Sequence, residues 1–168
     1  MFWLALSEVQ LPVMLPGEQE LVRDRGVGLY DGDERTDFDK GDLTLTTHRL
    51  LWVEQAAPRR ALALPLEAVS HVMAKGGFLT SSPKVHAFLF PPRSSAPGSG
   101  PVMHSTHHHL RFSFRKSDSD AVAAFAQRIT RAIAAKEWVP KPTKPNEAAL
   151  RQSAGTSLGR PRRRLGPA

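Results

Sequence analysis

Two lysines and two glycines in the middle of the chain have the types and spacing that suit phosphate binding. The run Lys75-Gly76-Gly77-Phe78 is followed by Ser81-Ser82-Pro83-Lys84. Glycines let backbone N–H groups approach a phosphate, and lysines supply a point charge. A solvated turn with ordinary surface lysines explains the same residues. On the residues alone the turn is the simpler interpretation, and phosphate binding is the alternative that stays open.

Basic residues on a neighbouring predicted strand can extend this surface. Residues 110–115 alternate between apolar and polar side chains, which is typical of a strand with one buried face. The apolar positions are Leu110, Phe112 and Phe114. Arg111 and Arg115 fall on the other face, and Lys116 follows them. Taken singly, each of these three cations is better explained as an ordinary solvent-facing residue.

Other residue combinations with chemical potential have simpler structural explanations. Thr46-Thr47-His48-Arg49 has the look of a catalytic threonine–histidine pair, but we prefer a hairpin turn whose hydroxyls bond to the backbone. Tyr30 and Trp52 are expected in the core or half-buried on the sheet. The sequence contains no P-loop, no nucleophile elbow and no convincingly spaced carboxylate pair. We therefore expect a protein that is not an enzyme.

Two further clusters are histidine-rich and arginine-rich. The histidines are His104, His107, His108 and His109. They lie in a predicted loop without a cysteine or carboxylate nearby, so we expect weak adventitious metal binding and no physiological metal or cofactor. The run Arg160-Pro161-Arg162-Arg163-Arg164 predicts nonspecific adhesion to polyanions that weakens with salt, and no specific nucleic-acid partner.

Charge is distributed unevenly along the 168 residues, whose net charge is +7. Residues 1–57 hold 5 Lys/Arg against 11 Asp/Glu, residues 58–140 hold 11 against 4, and residues 141–168 hold 7 against 1. The high pI therefore comes mostly from the tail. Within residues 1–140, an acidic half precedes a basic half, which suits a domain with one face toward an anionic surface.

Cysteine content, the amino terminus and the length of the apolar stretches bear on the cellular compartment of the protein. The chain has no cysteine, which excludes disulfides and thiolate zinc sites. The amino terminus lacks a basic segment before its short apolar run, so we expect no signal peptide. Because no apolar stretch is long enough to span a bilayer, any membrane association should be peripheral.

The elements that must position these residues are about seven short strands and one helix. Period-two runs and turn residues predict short strands at 21–23, 27–30, 42–46, 50–53, 61–64, 68–72, 84–90 and 110–115. Asp24-Arg25-Gly26 leads from the first run to the second, and the chain reverses at Asp31-Gly32 and near 47–49. Apolar residues at helical spacing predict a helix from Asp118 to Lys136, capped by Ser117 or Ser119. Proline, glycine and serine mark 91–108 as a loop.

This order of elements predicts an α+β, mainly β, fold. About seven antiparallel strands would form a PH-like open barrel, capped at one end by the C-terminal helix. Another small β-barrel with a terminal helix fits the same pattern. Residues 1–140 would form this domain, and residues 141–168, which have few large apolar side chains, would form a disordered basic tail.

Two long motifs resemble the GLUE domain of the vacuolar protein sorting-associated protein 36 family, a subunit family of ESCRT-II. They are Arg25-Gly26-Val27-Gly28-Leu29-Tyr30-Asp31-Gly32 and Gly41-Asp42-Leu43-Thr44-Leu45-Thr46-Thr47-His48-Arg49-Leu50-Leu51-Trp52. Ser82-Pro83-Lys84-Val85, the strand at 110–114 and a helix ending near Trp138 follow in the family's order. The resemblance covers roughly residues 17–140 and identifies the PH-like option.

The resemblance implies a cytoplasmic, endosomal adaptor that binds phosphoinositide membranes, ubiquitin and other ESCRT subunits, and sorts ubiquitinated cargo to multivesicular bodies. The lipid-binding residues would be Lys75, Gly76, Gly77, Lys84, Arg111 and Arg115. Relatives continue into two winged-helix domains, whereas this chain stops at Ala168, and Ser81 stands where relatives usually have a basic residue. A PH-like protein-interaction module without a functional lipid pocket is therefore the alternative function.

In the family, the C-terminal part of the long helix contributes to the ubiquitin surface. The corresponding residues here would be Thr130, Ala134, Ala135 and Trp138. Thr130, Ala134 and Trp138 are spaced four apart and would share one stripe, separate from the core-facing Ile129 and Ile133. Small side chains at Ala134 and Ala135 would let a partner approach closely. The simpler interpretation, which we prefer for Trp138 itself, is that it folds back as a lid over the barrel end.

Overall fold

The computed structural model describes residues 13–56, 60–77, 81–91 and 107–139. In this part of the chain eight strands precede one helix. The strands are β1 (Glu20–Asp31), β2 (Glu34–Arg35), β3 (Gly41–Thr46), β4 (Arg49–Glu54), β5 (Ala61–Pro65), β6 (Val69–Lys75), β7 (Lys84–Leu89) and β8 (His109–Phe114). The helix α1 is Ser119–Ala135. The mainly β, α+β prediction is confirmed.

One antiparallel sheet holds the strands in the order β5-β4-β3-β1-β8-β7-β6, with β2 paired to β1. β1 is the central strand, pairing with β3 through residues 20–27 and with β8 through residues 27–31. Its register with β3 shifts between Arg25 and Val27, where Gly26 has a φ of +72°. A bulge at a left-handed glycine bends the strand between its two partners. The sheet is therefore open, with β5 and β6 at its edges.

The two runs predicted at 21–23 and 27–30 form one strand, because the Asp24-Arg25-Gly26 segment that connects them lies inside β1. Glycine at this position supplies a bulge rather than a turn. The hairpin predicted for 42–46 and 50–53 is confirmed, with Leu43 opposite Trp52 and Leu45 opposite Leu50. The loop at 92–106 and the tail at 141–168 lie outside the described residues, as do His104 and the arginine run at 160–164.

The core is built from the inward face of the strands and one face of α1. Trp52 is fully buried, and its indole N–H donates to the Val27 carbonyl at 2.8 Å. A Cβ at position 41 would lie 2.1 Å from Cε2 of Trp52, so glycine is the residue that lets the indole ring sit over β3. The prediction that Trp52 is a core residue is confirmed, and Tyr30 is half-buried on β1.

Helix α1 closes the core against β6, β7 and the short 3-10 turn Leu66–Ala68. Its buried residues are Val122, Phe125, Ala126, Ile129 and Ala132. The cap differs from the prediction, since Asp118 accepts the Ala121 N–H at 2.7 Å. Ser117 instead donates to Asp24, and Ser119 accepts from Gly77, so both hydroxyls are engaged elsewhere. No helix in the described part of the chain has the length and apolarity to cross a bilayer.

Candidate functional site

Three of the predicted lipid-binding cations share the outer face of β6, β7 and β8. Lys75 lies directly opposite Lys84 across the β6–β7 pair. Two positions along β7 from Lys84, His86 lies opposite Arg111 on β8. Directly opposite residues in antiparallel strands point to the same side, as do residues two apart on one strand. We call Lys75, Lys84 and Arg111 the basic face.

The charges of the basic face act on one another. Burial lowers the pKa of Lys84, and the positive charges of Arg111 and Lys75 lower it further. Lys84 Nζ donates to the Ser82 carbonyl at 3.0 Å. Arg111 is the most compensated member, because its guanidinium lies 2.8 Å from Asp33 and 5.1 Å from the Tyr30 ring centroid. A bound anion would relieve the repulsion that the three cations exert on one another.

The two glycines of the predicted phosphate loop, Gly76 and Gly77, differ in their surroundings. A Cβ at Gly77 would lie 2.4 Å from the Ser81 carbonyl oxygen, so this glycine allows a close approach of the chain. Its N–H donates to Ser119 Oγ at 3.3 Å and is already engaged. Gly76 is exposed. Phe78 and the next two residues lie outside the described part of the chain, so the phosphate-cradle hypothesis stays a prediction.

Arg115, the remaining predicted lipid-binding cation, forms an ion pair of its own. It lies one residue beyond the end of β8 and forms an ion pair with Asp39. Arg35 contacts the same carboxylate at 2.9 Å. The hydrogen bond from Arg115 lowers the pKa of Asp39, as does that from Arg35, against the opposing effect of burial. Arg115 therefore has its charge compensated within the chain, as Arg111 does through Asp33.

A cluster of aromatic rings, which the sequence analysis missed, shares the outer face with the basic residues. It consists of His71 on β6, His86 and Phe88 on β7, and His109 on β8, and we call it the imidazole–phenyl cluster. The rings of His71 and Phe88 stack at 4.4 Å, Phe88 and His109 at 5.4 Å, and His86 and His109 at 6.1 Å. The alternation of His86 and Phe88 along a predicted strand was the signal that could have revealed it.

This cluster does not have the arrangement of a metal centre. Among residues 13–56, 60–77, 81–91 and 107–139, no group of three or more potential ligand side chains is placed to hold a metal ion. Its rings face one another in stacks, which favours packing over coordination.

The predicted ubiquitin residues are divided between two surfaces. Thr130, Ala134 and Ala135 are exposed on α1. The helix ends at Ala135, and Lys136 adopts a left-handed conformation with a φ of 49°. The predicted single stripe through Thr130, Ala134 and Trp138 is therefore wrong, because the chain leaves the helix before Trp138.

Trp138 packs against the core cluster, as the lid interpretation predicts. It also borders a cavity of about 400 Å³ beside the turn between β3 and β4, together with Leu15, His48 and Pro65. Ala135 borders a separate cavity of about 350 Å³ with Leu21, Arg128 and Arg131. An adjacent residue lies about 100° round the helix, which separates Ala135 from Ala134.

Two of the residues with a catalytic appearance, Thr46 and Arg49, have structural roles. Thr46 Oγ1 donates to Glu18 and accepts the backbone N–H groups of His48 and Arg49, which confirms the predicted turn. Arg49 donates from Nε and Nη2 to the Glu18 carboxylate at 2.8 and 2.9 Å. Burial acts to raise the pKa of Glu18, but the hydrogen bonds from Arg49, the Leu15 N–H and Thr46 outweigh it and lower the pKa overall. The pair fastens residues 13–19 to the β3–β4 turn.

Comparison with known proteins places this geometry in a family. The family model described as vacuolar protein sorting protein 36 Vps36 matches residues 6–91. The vacuolar protein-sorting-associated protein 36 of Danio rerio is 31% identical over 126 residues, which cover 74% of this chain and 32% of the relative. The Homo sapiens relative is 28% identical over 144 residues, 85% of this chain and 35% of the relative. The chain thus spans about a third of the length of these curated relatives.

A solved structure supports the same assignment at the level of the fold. It is described as the Vps36 N-terminal PH domain, with a TM-score of 0.61 and 30% sequence identity. The match covers 80% of this chain and 92% of that structure. The PH-like prediction, rather than another small β-barrel, is therefore confirmed.

Proposed function

Because the chain belongs to the vacuolar protein sorting protein 36 family, we propose that it is a non-enzymatic adaptor module of endosomal sorting. It binds phosphoinositide membranes through the basic face and binds ubiquitin weakly through α1. Its place is peripheral on endosomal membranes, where it acts with other ESCRT-II subunits in delivering ubiquitinated cargo to multivesicular bodies. The weak contacts with lipid and with ubiquitin on one membrane would strengthen overall binding, because the first contact raises the effective concentration for the second.

The observation that supports membrane binding is the convergence of Lys75, Lys84 and Arg111 on the outer face of the sheet, where Lys75 is exposed and the other two are half-buried. Met73 lies on the same face opposite His86 and is 54% exposed, so an apolar side chain accompanies the cations. Each basic group near an anionic membrane surface contributes about 1 kcal/mol. Arg111 and Arg115 contribute less than the two lysines in this proposal, since Asp33 and Asp39 compete with lipid for their charges.

Charge reversal tests the role of the basic face. The K75E/K84E variant should lose most of its binding to phosphatidylcholine vesicles that carry a phosphoinositide, because two favourable contacts become repulsive. Vesicle sedimentation measures the bound fraction. The matched control is K40E/R128E, which changes the net charge equally at two exposed positions away from the face. Equal losses in both variants would indicate a nonspecific charge effect, and unchanged binding in K75E/K84E would move the lipid site elsewhere.

A second function, a PH-like protein-interaction module without a working lipid pocket, is favoured by a specific observation. Several groups that would hold a phosphate are already engaged: the Gly77 N–H by Ser119, Lys84 Nζ by the Ser82 carbonyl and Arg111 by Asp33. A ligand must displace these contacts or share them. Vesicle binding that does not increase when phosphoinositide is added would support this second function over the first.

Ubiquitin binding is proposed for the exposed flank of α1 around Thr130 and Ala134. The hydroxyl of Thr130 donates to the Ala126 carbonyl at 3.1 Å, which leaves its methyl group available for an apolar contact. Ala134 has a small side chain that lets a partner's apolar patch approach the helix. Trp138 is half-buried against the core, so it is a support for this surface more than an anchor.

A further inference from the structure

The imidazole–phenyl cluster and the basic face form one continuous surface. His86 lies directly opposite Met73 on one side and Arg111 on the other, with Lys84 two positions away on the same strand. His86 therefore sits among the three cations of the basic face, and the other members of the cluster form the next row of side chains, away from Lys75 and Lys84. Any charge that its imidazoles gain is added to the charge that an anionic ligand would meet there.

Protonation of His86 is disfavoured in the free chain. Burial lowers the pKa of His86, and the positive charges of Arg111, His109 and Lys75 lower it further, against a small opposing effect of Asp33. Nε2 of His86 is enclosed and has no hydrogen-bond partner among the described residues. An imidazolium at this position thus lacks an acceptor, and its neutral form is favoured.

Few carboxylates oppose the positive charge around the cluster. On the β8 side, Asp33 pairs with Arg111, and Asp31 lies 3.8 Å from Nδ1 of His107, whose ring contacts that of His109. On the β6 side, His71 meets the hydroxyl of Ser70 at 3.1 Å, and Lys75 is the nearest charge along the strand. Helix α1 packs against the opposite, buried face of the sheet with its apolar residues.

An anionic membrane over this surface would reverse the causes that keep His86 neutral. Lipid phosphates would neutralise Lys75, Lys84 and Arg111, and the negative surface potential would favour the imidazolium. We propose that the imidazole–phenyl cluster couples membrane binding to proton uptake, so that the basic face binds an anionic lipid surface more tightly as the pH falls. The inference rests on the proposed function, since it takes the basic face as the membrane-contacting surface.

Partition of the full chain onto vesicles of phosphatidylcholine and phosphatidylglycerol tests the coupling. Phosphatidylglycerol is the probe because its phosphodiester does not titrate where histidine does, between about pH 5 and 8. At constant ionic strength, each imidazolium formed at the surface should tighten binding about fivefold. The wild-type chain should bind at least about fivefold more tightly near pH 5.5 than near pH 7.5. The H86Q/H109Q variant, which keeps only His71 of the cluster's imidazoles, should show a clearly smaller ratio.

The control is H48Q, which removes a histidine from the turn between β3 and β4 and should keep the wild-type pH ratio. Wild-type binding that is equal at both pH values overturns the inference but leaves the proposed function standing. Absence of binding at both pH values overturns the inference, and the phosphoinositide vesicles of the charge-reversal test then decide the proposed function separately. Equal pH dependence on vesicles without phosphatidylglycerol also contradicts the inference, because lipid charge then plays no part.

A second measurement keeps the test valid if H86Q/H109Q does not fold. The histidine resonances of the wild-type chain are titrated by NMR with and without phosphatidylglycerol nanodiscs. Thermodynamic reciprocity requires the pKa of His86 to rise when the nanodiscs are bound. A His86 pKa that is unchanged or lower on the nanodiscs overturns the inference.

Discussion

Replacing Glu18 by glutamine should destabilise the domain strongly, because Glu18 is the anionic half of a buried ion pair. Its side chain is fully buried, and that of Arg49 is only 9% exposed. Removing one partner of such a pair leaves an uncompensated buried charge, which typically costs about 3–5 kcal/mol. Arg49 keeps one other acceptor, the Val13 carbonyl at 2.7 Å, so we expect a cost at the lower end, about 3 kcal/mol.

The assay is urea unfolding followed by tryptophan fluorescence, with E20Q as the matched control. Glu20 pairs with Arg23 at 2.7 Å, but both side chains are more than 40% exposed, so its loss should cost less than about 1 kcal/mol. A thermal scan should show E18Q melting roughly 10 °C below the wild type. A free-energy difference of less than about 1 kcal/mol between E18Q and E20Q would refute the reasoning about burial.

The effect of E18Q should also depend on pH with a defined sign. Because the folded pKa of Glu18 is lowered from its ordinary value of 4.5, the carboxylate contributes stability above that pH. This contribution is lost as the pH falls through the lower, folded pKa. The stability gap between wild type and E18Q should therefore be largest near neutral pH and shrink below about pH 4. A gap that widens on acidification would contradict the sign.

Three further predictions follow from packing and exposure. G41A should lower the free energy of unfolding in urea by about 2–4 kcal/mol, since the added Cβ would collide with the Trp52 ring. G76A, whose Cβ would lie 3.4 Å from Ser119 Oγ, should change stability little, and equal effects of the two variants would contradict the packing argument. A134E should abolish the shifts that the wild-type domain induces in labelled ubiquitin by NMR, whereas A124E, also exposed, should retain them. A chain ending after Trp138 should melt within a few degrees of the full chain by calorimetry, and loss of its cooperative transition would refute the predicted domain boundary.

Local periodicity was enough to predict the elements that are defined by contacts between residues close in sequence. The hairpin of β3 and β4 and the buried face of β8 follow from alternation, and α1 follows from its helical spacing. The bonds from the His48 and Arg49 N–H groups to Thr46 Oγ1 also form as predicted, because they are local, whereas the bond from Thr46 to Glu18 spans 28 positions and was not predicted. The continuity of β1 was not predictable in this way. A left-handed glycine serves a turn and a bulge equally well, and only pairing with β3 and β8 decides between them.

The site was predicted less completely because its residues meet across strands. Lys75, Lys84 and Arg111 were identified by type and by family resemblance, but the register that joins them depends on which strands are neighbours. Arg115 and Asp39, which form an ion pair, are 76 positions apart in the sequence, so no periodic pattern could predict their contact. His71 and His86 were overlooked for the same reason, since each is an ordinary strand residue until three strands bring the rings together.

The most direct test of the adaptor proposal is whether membrane and ubiquitin bind the same molecule together. Partition of the full chain is measured onto vesicles that carry phosphoinositide alone, tethered ubiquitin alone, or both. Simultaneous engagement predicts binding to the doubly decorated vesicles at least about tenfold tighter than to either single type, because the second contact becomes intramolecular. Affinity for the doubly decorated vesicles that merely equals the better single affinity would contradict the account.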